Sequence, residues 1–466
     1  MNLEQEVARL KAEIEACRAR EQAVPAVLAE VDYARRRIAW LERERDALSE
    51  QLHTGAEQIR RLAAFARGGG PAPAWPAQAP APEAVQALDW QGFQSRAFAP
   101  DKQTGGIWIQ EASIDWSHAL WQRPQHMALA MARRGWLVVY RTRNASHDRV
   151  SGWREIRPNL WLTDDPATDA IEGAVRSVYN TSFGEPLHTL SLRPRGTRFV
   201  FEVVDHLDER ILGSAERVRL QQALQDWALL GGADLVVATA RVLLAQASAV
   251  AGSERCALVP NGVDLDHYLD PAALSAPVEP RLAAFRARHS RLVGYFGALA
   301  PWLDYAAITR LVESRPDLGF VFIGPDYQGA ASRLPVAGNV LATGPLDYDV
   351  LPAQARLFDA CLIPFEPGEV ARTTSPLKLF EYFALGKPVV VADDMAECLA
   401  FPEVFHGEGA EGLSRAIDAA LEAAQSPGFA DRMRALAAAN SWDARAAALE
   451  QALTRRAAGL AAQEAQ

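Results

Sequence analysis

Short apolar runs alternate with helical segments from about residue 104 onward, and after an interruption near residues 262–290 the alternation starts again. The first series of runs is Ile107–Gln110, Trp136–Tyr140, Ser177–Tyr179, Phe199–Val204, Leu235–Ala238 and Ala257–Val259. The second series is Leu292–Phe296, Phe320–Ile323, Val340–Ala342, Ala360–Ile363 and Val389–Ala392. Strands that alternate with helices form parallel sheets covered on both faces. The sequence therefore predicts an α/β fold of two Rossmann-like, doubly wound domains, facing each other across a ligand cleft at the carboxyl ends of their strands.

The composition fits two globular domains and argues against several classes of protein. Of the 466 residues, 49% are hydrophobic, and this length exceeds that of one compact domain. The formal net charge of −10 argues against nonspecific binding of nucleic acid. The four cysteines have no metal-site or disulfide-framework spacing, and no segment resembles a signal peptide or a membrane span. We therefore expect a cytoplasmic protein without a structural metal.

Residues 1–67 carry a different pattern. Apolar residues recur in alternating steps of four and three at Leu3, Val7, Leu10, Ile14 and Cys17, and the pattern resumes after Pro25. This spacing predicts a coiled coil in two helical pieces, used for self-association or for docking a partner. A lone charged helix or an unstructured arm is the alternative. Residues 68–103 begin with a stretch rich in Pro, Ala and Gly, and we interpret them as a linker.

The segment from Thr374 to Val391 has the pattern of a helix followed by a buried strand. Thr374 and Ser375 offer capping hydroxyls, and Pro376 suits the first helical position. A helix N-terminus binds anions, because its N–H groups and its dipole point outward together. Lys378 and Glu381 follow within about one turn, and they could contact phosphates and the vicinal hydroxyls of a ribose. This arrangement predicts a nucleotide site, and an ordinary capped helix with a surface Lys and Glu is the alternative.

The same segment, Ser375-Pro-Leu-Lys-Leu-Phe-Glu-Tyr-Phe-Ala-Leu-Gly-Lys-Pro-Val-Val390, resembles the donor-binding signature of retaining GT-B glycosyltransferases of the glycosyltransferase family 4 type. Further matches follow in the family's order, at Arg123-Pro-Gln-His126, Val204-Asp-His-Leu207, Ala233-Asp-Leu-Val-Val-Ala-Thr239, Val259-Pro-Asn-Gly-Val-Asp264, Gly294-Tyr-Phe-Gly297, Phe322-Ile-Gly-Pro325 and Ser441-Trp-Asp443. Together they span about residues 106–455. Trp302 and Asp304 resemble a subgroup from bacterial surface-polysaccharide clusters of the teichuronic-acid type.

The resemblance implies an acceptor domain over residues 104–265, a nucleotide-sugar domain over residues 266–440, and a C-terminal helix over residues 441–466 that returns to the first domain. It implies a nucleotide-sugar co-substrate with no other cofactor and no metal. The acceptor would be a bacterial surface glycan or a polyprenyl-diphosphate-linked glycan. The donor-binding residues it implies are Gly297, Trp302, Asp304, Arg372, Thr374, Ser375, Pro376, Leu377, Lys378 and Glu381.

The chain departs from this family pattern in two places. Many members carry a Glu at the position of Thr373, and we consider Glu366 or Glu369 as its replacement. Many also carry an Arg and a Lys in the stretch that here runs from Ala298 to Asp304.

Arg372 or Lys378 is the candidate for that missing positive charge. Two alternatives to a transferase stay open: a GT-B sugar-nucleotide epimerase, and an inactive scaffold that binds nucleotide sugars. The two departures favour the scaffold.

Four residues are candidates on the acceptor side of the cleft. His118 lies in the loop after the first predicted strand, and Asp205 ends an apolar strand, so we predict both as catalytic groups. Trp116 and Arg123, from the same loop and the following helix, are predicted to bind the acceptor. A solvated or core histidine and a helix-capping aspartate are the alternatives for the first pair.

Two other patterns have ordinary explanations. Asp347-Tyr-Asp349 has the DxD form of metal-dependent transferases, but it precedes a predicted helix, so we expect helix capping rather than metal binding. Residues 123–157 contain eight arginines. They predict either peripheral contact with the anionic inner face of the plasma membrane or a solvated rim balanced by acids.

Overall fold

The computed structural model describes residues 87–99, 105–111, 114–118, 121–144, 148–181 and 194–464. The predicted coiled coil over residues 1–67 and the first part of the predicted linker lie outside these ranges. Gln86–Thr142 and Val150–Gln466 belong to one compact unit, which holds both α/β domains. Each domain is built on one sheet, and the predicted pair of Rossmann-like domains is confirmed.

The first domain has an eight-stranded sheet in the order β3-β4-β2-β1-β5-β6-β7-β8. Its strands are β1 (Ile107–Glu111), β2 (Leu137–Arg141), β3 (Trp153–Arg157), β4 (Leu160–Thr163), β5 (Val175–Tyr179), β6 (Arg198–Val203), β7 (Leu235–Ala238) and β8 (Cys256–Leu258). Its helices are α1 (Trp90–Ala97), α2 (Arg123–Arg133), α3 (Glu209–Leu212), α4 (Ala215–Trp227) and α5 (Arg241–Ala251), with shorter turns at Pro166–Ala170, Ala228–Gly232 and Ser253–Arg255. All neighbouring strands are parallel except β3, which runs antiparallel to β4.

The second domain has a six-stranded parallel sheet in the order β11-β10-β9-β12-β13-β14. Its strands are β9 (Leu292–Phe296), β10 (Gly319–Ile323), β11 (Val340–Gly344), β12 (Ala360–Ile363), β13 (Val389–Ala392) and β14 (Phe405–Gly407). The helices that follow the first domain are α6 (Leu265–Tyr268), α7 (Pro271–Leu274), α8 (Pro280–Arg288), α9 (Tyr305–Ser314), α10 (Leu351–Ala355), α11 (Glu369–Thr373), α12 (Leu377–Ala384), α13 (Gly409–Ala423), α14 (Phe429–Ala439) and α15 (Trp442–Glu464). Short 3-10 turns lie at Ala330–Arg333 and Tyr348–Val350.

The strand order reverses between β1 and β5 in the first sheet and between β9 and β12 in the second. Open α/β sheets bind ligands at such reversals, outside the carboxyl ends of the strands. Gly297 directly follows β9, and the segment that leads into α12 follows β12. The topology therefore brings the two motifs singled out in the sequence to the same edge of the second sheet.

The last helix, α15, packs on the first domain. Trp442 and Leu449 are buried in one cluster with Met127 and Met131 of α2 and with residues of β2. The chain reaches this position through Val263, whose backbone pairs with the residues just before α15. Burying these apolar side chains fastens the end of the second domain to the first.

The prediction was wrong for the last part of the linker, because residues 90–97 form α1. The Asp89 carboxylate caps this helix by accepting from Gly92 N at 2.7 Å. Phe93 stacks on Trp153 of β3 with ring centroids 3.7 Å apart. The antiparallel pair β3–β4 and the short strand β14 were also missed, because none of them continues the alternation of buried strand and helix.

Candidate active site

A cavity of about 350 Å³ lies between the two domains at the carboxyl ends of their strands. First-domain residues that line it include Ile114, Trp121, Arg123, Tyr179, Asp205, Ile211 and Asn261. Second-domain residues that line it include Tyr295, Gly297, Trp302, Tyr348, Phe365, Thr374, Ser375, Pro376, Leu377, Lys378 and Glu381. The structure therefore brings together eight of the ten residues predicted to bind the donor, along with Asp205 and Arg123.

The start of α12 faces this cavity, but its cap differs from the prediction. The helix begins at Leu377, and Pro376 occupies the N-cap position rather than the first helical position. The Thr374 hydroxyl donates to Asp205 Oδ1 at 2.9 Å, and the Ser375 hydroxyl accepts from Asn261 N at 3.2 Å. Both hydroxyls are therefore used in contacts with the first domain. No side chain caps the first turn, and the Leu379 N–H donates to Pro376 O at 3.2 Å. Among the described residues, the N–H groups of Leu377 and Lys378 remain available to an anion.

Lys378 makes no hydrogen bond and no ion pair with any residue in the described part of the chain. Its Nζ lies 5.2 Å from the centroid of the Tyr295 ring and 5.4 Å from that of Phe365. Burial lowers the pKa of Lys378, against the opposing charges of Glu381 and Asp205. A cation held between aromatic rings beside an uncapped helix end is suited to receive a phosphate.

Gly297 makes room for this lysine. Its φ of +132° is in the region that favours glycine, and a Cβ there would lie 2.8 Å from Lys378 Cε. The Gly297 N–H donates to Ile323 O at 2.8 Å, which fixes the turn after β9. A side chain at this position would displace Lys378 from the cavity.

Two carboxylates share the cavity with Lys378. Glu381 is 7% exposed. Burial raises the pKa of Glu381 to about 7, although the Lys378 charge lowers it. Burial also raises the pKa of Asp205 to about 6, against its hydrogen bond with Thr374 and the charge of Lys378. Two acids with raised pKa values and an unpaired lysine in one cleft are typical of a functional site.

Arg123 lines the cavity, and its guanidinium donates hydrogen bonds to other residues of the first domain. Its Nε donates to Glu202 Oε2 at 2.7 Å, and its Nη1 donates to Pro260 O at 3.1 Å and to Asn261 Oδ1 at 3.2 Å. Arg123 is 3% exposed and Glu202 is fully buried. Arg123 Nη2 is buried without a hydrogen-bond partner among the described residues, so acceptor binding by Arg123 stays a prediction.

Four other predicted site residues lie outside the cavity lining. Asp304 caps α9 by accepting from Ala307 N at 2.8 Å. Arg372 is 45% exposed and pairs with Glu369 at 2.7 Å and Asp394 at 3.0 Å.

The two others are on the acceptor side. Trp116 is buried in the first domain against Trp121 and Tyr140. His118 is half-buried in the loop after β1, and its backbone N–H donates to Asp115 O at 3.3 Å.

The proposed replacements for the missing family residues are engaged elsewhere. Glu366 pairs with Arg210 of the first domain at 3.4 Å, and Glu369 pairs with Arg372. Thr373 is buried, and its hydroxyl donates to Glu369 O at 2.7 Å. None of these side chains lines the cavity, so Lys378 is the candidate for the positive charge that the family pattern led us to expect.

Several cavity residues were not predicted as site residues. Asn261 and Tyr295 appeared only within motifs that resemble the family pattern, and Tyr179 only as a strand residue. In the sequence these residues look like ordinary buried residues, because the cavity that they line exists only where the two domains meet. Tyr348 was noted only within the DxD pattern, and its ring stacks on Trp121 across the cleft with centroids 5.2 Å apart.

The DxD segment, Asp347–Asp349, lies at the short turn before α10. We predicted helix capping for this segment. Asp347 does occupy the N-cap position of the turn Tyr348–Val350, but its side chain makes no capping hydrogen bond. No group of three or more His, Cys, Asp or Glu residues could hold a metal within the described ranges.

Four of the eight arginines in residues 123–157 pair with carboxylates, which removes much of the predicted basic patch. These are Arg123 with Glu202, Arg133 with Asp264, Arg134 with Glu450 and Arg141 with Glu111. No helix among the described residues is long and apolar enough to cross a membrane.

Comparison with solved structures shows the fold. The chain is similar to sucrose-phosphate synthase from Thermosynechococcus elongatus, with a TM-score of 0.56 and 17% identity over 76% of this chain and 99% of that one. It is similar to trehalose 6-phosphate synthase from Burkholderia multivorans, with a TM-score of 0.54 and 14% identity over 77% of this chain and all of that one. HepE from Anabaena, solved in complex with UDP, gives a TM-score of 0.50 and 16% identity over 75% of this chain and 99% of that one. The chain therefore has the GT-B fold.

Comparison with curated sequences gives a narrower match. The chain is 36% identical over 146 residues to TuaH of Bacillus subtilis, whose name describes a glycosyltransferase of teichuronic acid biosynthesis. The matched segment covers 30% of this chain and 35% of the relative's length. No protein-family model matches the chain.

Proposed function

We propose that this protein is a glycosyltransferase that moves a sugar from a nucleotide-sugar donor to a bacterial surface glycan or to a lipid-linked glycan. The transfer retains the anomeric configuration and needs no metal, as the family resemblance implies. The partial likeness to TuaH and the fold shared with the UDP-bound HepE both support the donor class. The name of TuaH supports a surface polysaccharide as the product.

One observation carries the proposal: the uncapped end of α12 and the unpaired Lys378 face the same cavity. Both present positive charge at one spot, where a diphosphate would be held and where charge develops as it departs. Glu381, one turn further along the same helix, is placed to accept hydrogen bonds from ribose hydroxyls. Because each such bond contributes about 1.5–3 kcal/mol, Glu381→Ala should weaken donor binding about tenfold to a hundredfold.

On the first-domain side, Asp205 lines the cavity and accepts a hydrogen bond from Thr374, three residues before α12. We propose that it binds the acceptor hydroxyl and helps to orient it toward the anomeric carbon. Its raised pKa, about 6, means that a proton can be exchanged there near neutral pH. His118 remains a second candidate, which would need the loop after β1 to move.

A panel of nucleotide sugars tests the activity. We expect the full-length protein to hydrolyse one of UDP-glucose, UDP-glucuronate, GDP-mannose or dTDP-rhamnose slowly without acceptor, and to do so in the presence of EDTA. An inactive scaffold would bind without hydrolysis, and an epimerase would release an isomerised sugar. Activity that EDTA abolishes and Mn²⁺ restores would overturn metal independence.

The remaining expectations concern location and assembly. We propose a cytoplasmic protein that works at the inner face of the plasma membrane, where lipid-linked acceptors are found, and that self-associates or docks a partner through residues 1–67. Analytical ultracentrifugation of the full chain, with Leu10→Lys as the variant, tests the second point. An unchanged sedimentation coefficient would contradict self-association through this segment.

A further inference from the structure

A chain of hydrogen bonds joins the buried first sheet to the open end of α12. We call its members Glu202, Arg123, Asn261 and Ser375 the Arg123 network. Glu202 accepts from Arg123 Nε at 2.7 Å, and Arg123 Nη1 donates to Asn261 Oδ1 at 3.2 Å. Asn261 Nδ2 donates to Ser375 O at 2.5 Å, and Asn261 N donates to Ser375 Oγ at 3.2 Å.

All four members of the network are nine-tenths or more buried. Bulk water therefore does not compete for these bonds, and each bond restrains the next residue. Asn261 is held from a third direction, because Arg445 Nε of α15 donates to its carbonyl at 3.0 Å. The Ser177 hydroxyl bonds to Glu202 from the neighbouring strand β5, so the far end of the network is fixed as well.

The near end of the network is at the candidate phosphate site. Ser375 lies two residues before Leu377, where α12 begins. Its carbonyl and hydroxyl are both bonded to Asn261, so the direction in which the first N–H groups of α12 point depends on Asn261. A positively charged site works best when its donors are already oriented, since no reorganisation is then needed on binding.

We infer that Glu202, Arg123 and Asn261 are positioning residues, which hold Ser375 and thereby orient the start of α12 toward a diphosphate. Glu202 does not line the cavity and acts only through Arg123 and Asn261. The first domain thus contributes to phosphate affinity in the second domain. This inference rests on the proposed function, because it assumes that a nucleoside diphosphate binds at the α12 end.

Glu202→Gln tests the inference at a residue remote from the ligand, and Glu111→Gln is its matched control. Glu111 is also a buried acid in the first sheet and accepts from Arg141 at 3.0 Å, but it does not belong to the Arg123 network. The full-length proteins are titrated with UDP, GDP, ADP and dTDP, and the tightest binder is compared with its nucleoside. We expect Glu202→Gln to weaken the diphosphate about fivefold to tenfold and the nucleoside less than about twofold. Glu111→Gln should change neither affinity.

A purely structural role for Glu202 would lower the melting temperature of Glu202→Gln and leave its ratio of diphosphate to nucleoside affinity unchanged, which would overturn the inference. Asn261→Ala gives a second test if Glu202→Gln folds poorly, because it should change the same ratio. Combining both substitutions should weaken diphosphate binding no more than about twofold beyond Asn261→Ala alone. Fully multiplicative effects would contradict a shared network. If the wild-type protein binds none of the four diphosphates, the proposed function fails, and this inference fails with it.

Discussion

The two faces of the cleft use charge in opposite ways. On the first-domain face, Arg123 Nε is paired with Glu202, and among the described residues only Arg123 Nη2 of this pair lacks a hydrogen-bond partner. On the second-domain face, Lys378 makes no hydrogen bond or ion pair with the described residues, no side chain caps α12, and Glu381 lies beside them with a raised pKa. Proteins satisfy buried polar groups where those groups only support structure, and leave them unsatisfied where a ligand will supply the partner. The comparison assigns support to the Arg123–Glu202 pair on the first face and phosphate binding to the second face.

The largest expected effect is on stability at the supporting face. Arg123→Ala should lower the free energy of unfolding by about 3–5 kcal/mol, because it leaves the Glu202 carboxylate buried and uncompensated. Arg134→Ala is the control, since Arg134 pairs with Glu450 near the surface and its loss should cost less than about 1 kcal/mol. Urea denaturation measures both. If the two variants lost the same free energy of unfolding, the buried Arg123–Glu202 pair would stabilise the protein no more than the surface Arg134–Glu450 pair.

Lys378→Ala should show the reverse pattern at the binding face. We expect the affinity for a nucleoside diphosphate to fall about tenfold to a hundredfold, because a charge-assisted contact with phosphate is lost. The free energy of unfolding should hardly change, since no protein partner loses a bond.

Lys387→Ala is the control, because Lys387 lies just beyond the other end of α12 and its Nζ donates to Arg356 O at 2.8 Å. It should leave affinity unchanged. A large loss of stability in Lys378→Ala would show that this lysine supports the fold.

The raised pKa of Glu381 predicts a pH dependence of stability. The folded protein holds the Glu381 proton up to about pH 7, whereas the unfolded chain releases it near 4.5. Between these values the folded state binds more protons, so the contribution of Glu381 to stability falls as the pH rises. Glu381→Gln should therefore become more stable relative to wild type from pH 4.5 to pH 7. Parallel curves of unfolding free energy for the two proteins would contradict the raised pKa.

The smallest effect is expected at Arg372. The family pattern made it a candidate for phosphate binding, but it is exposed and paired with Glu369 and Asp394. Arg372→Ala should change diphosphate affinity by less than about twofold, as a surface ion pair outside the cavity would predict. A loss as large as that of Lys378→Ala would mean that Arg372 leaves its partners and turns into the cleft on binding.

The sequence by itself determined the two α/β domains, because the alternation of apolar strands and helices leaves few other folds. It also located Lys378, Glu381 and Gly297, since helix spacing and a strand-end glycine are local properties. It could not predict that α1 forms within the linker, because that helix depends on Trp153 of a strand that the alternation does not include.

Only the tertiary structure decided which groups are left free. Thr374 bonds to Asp205 across 169 positions of sequence, and Ser375 bonds to Asn261 across 114. Local rules assigned both hydroxyls to a helix cap, whereas contacts with the opposing domain took them and left the helix end open. The pairings of Arg123 with Glu202 and of Arg372 with Asp394 were settled in the same way, because a side chain's partner depends on which residues folding brings within hydrogen-bond distance.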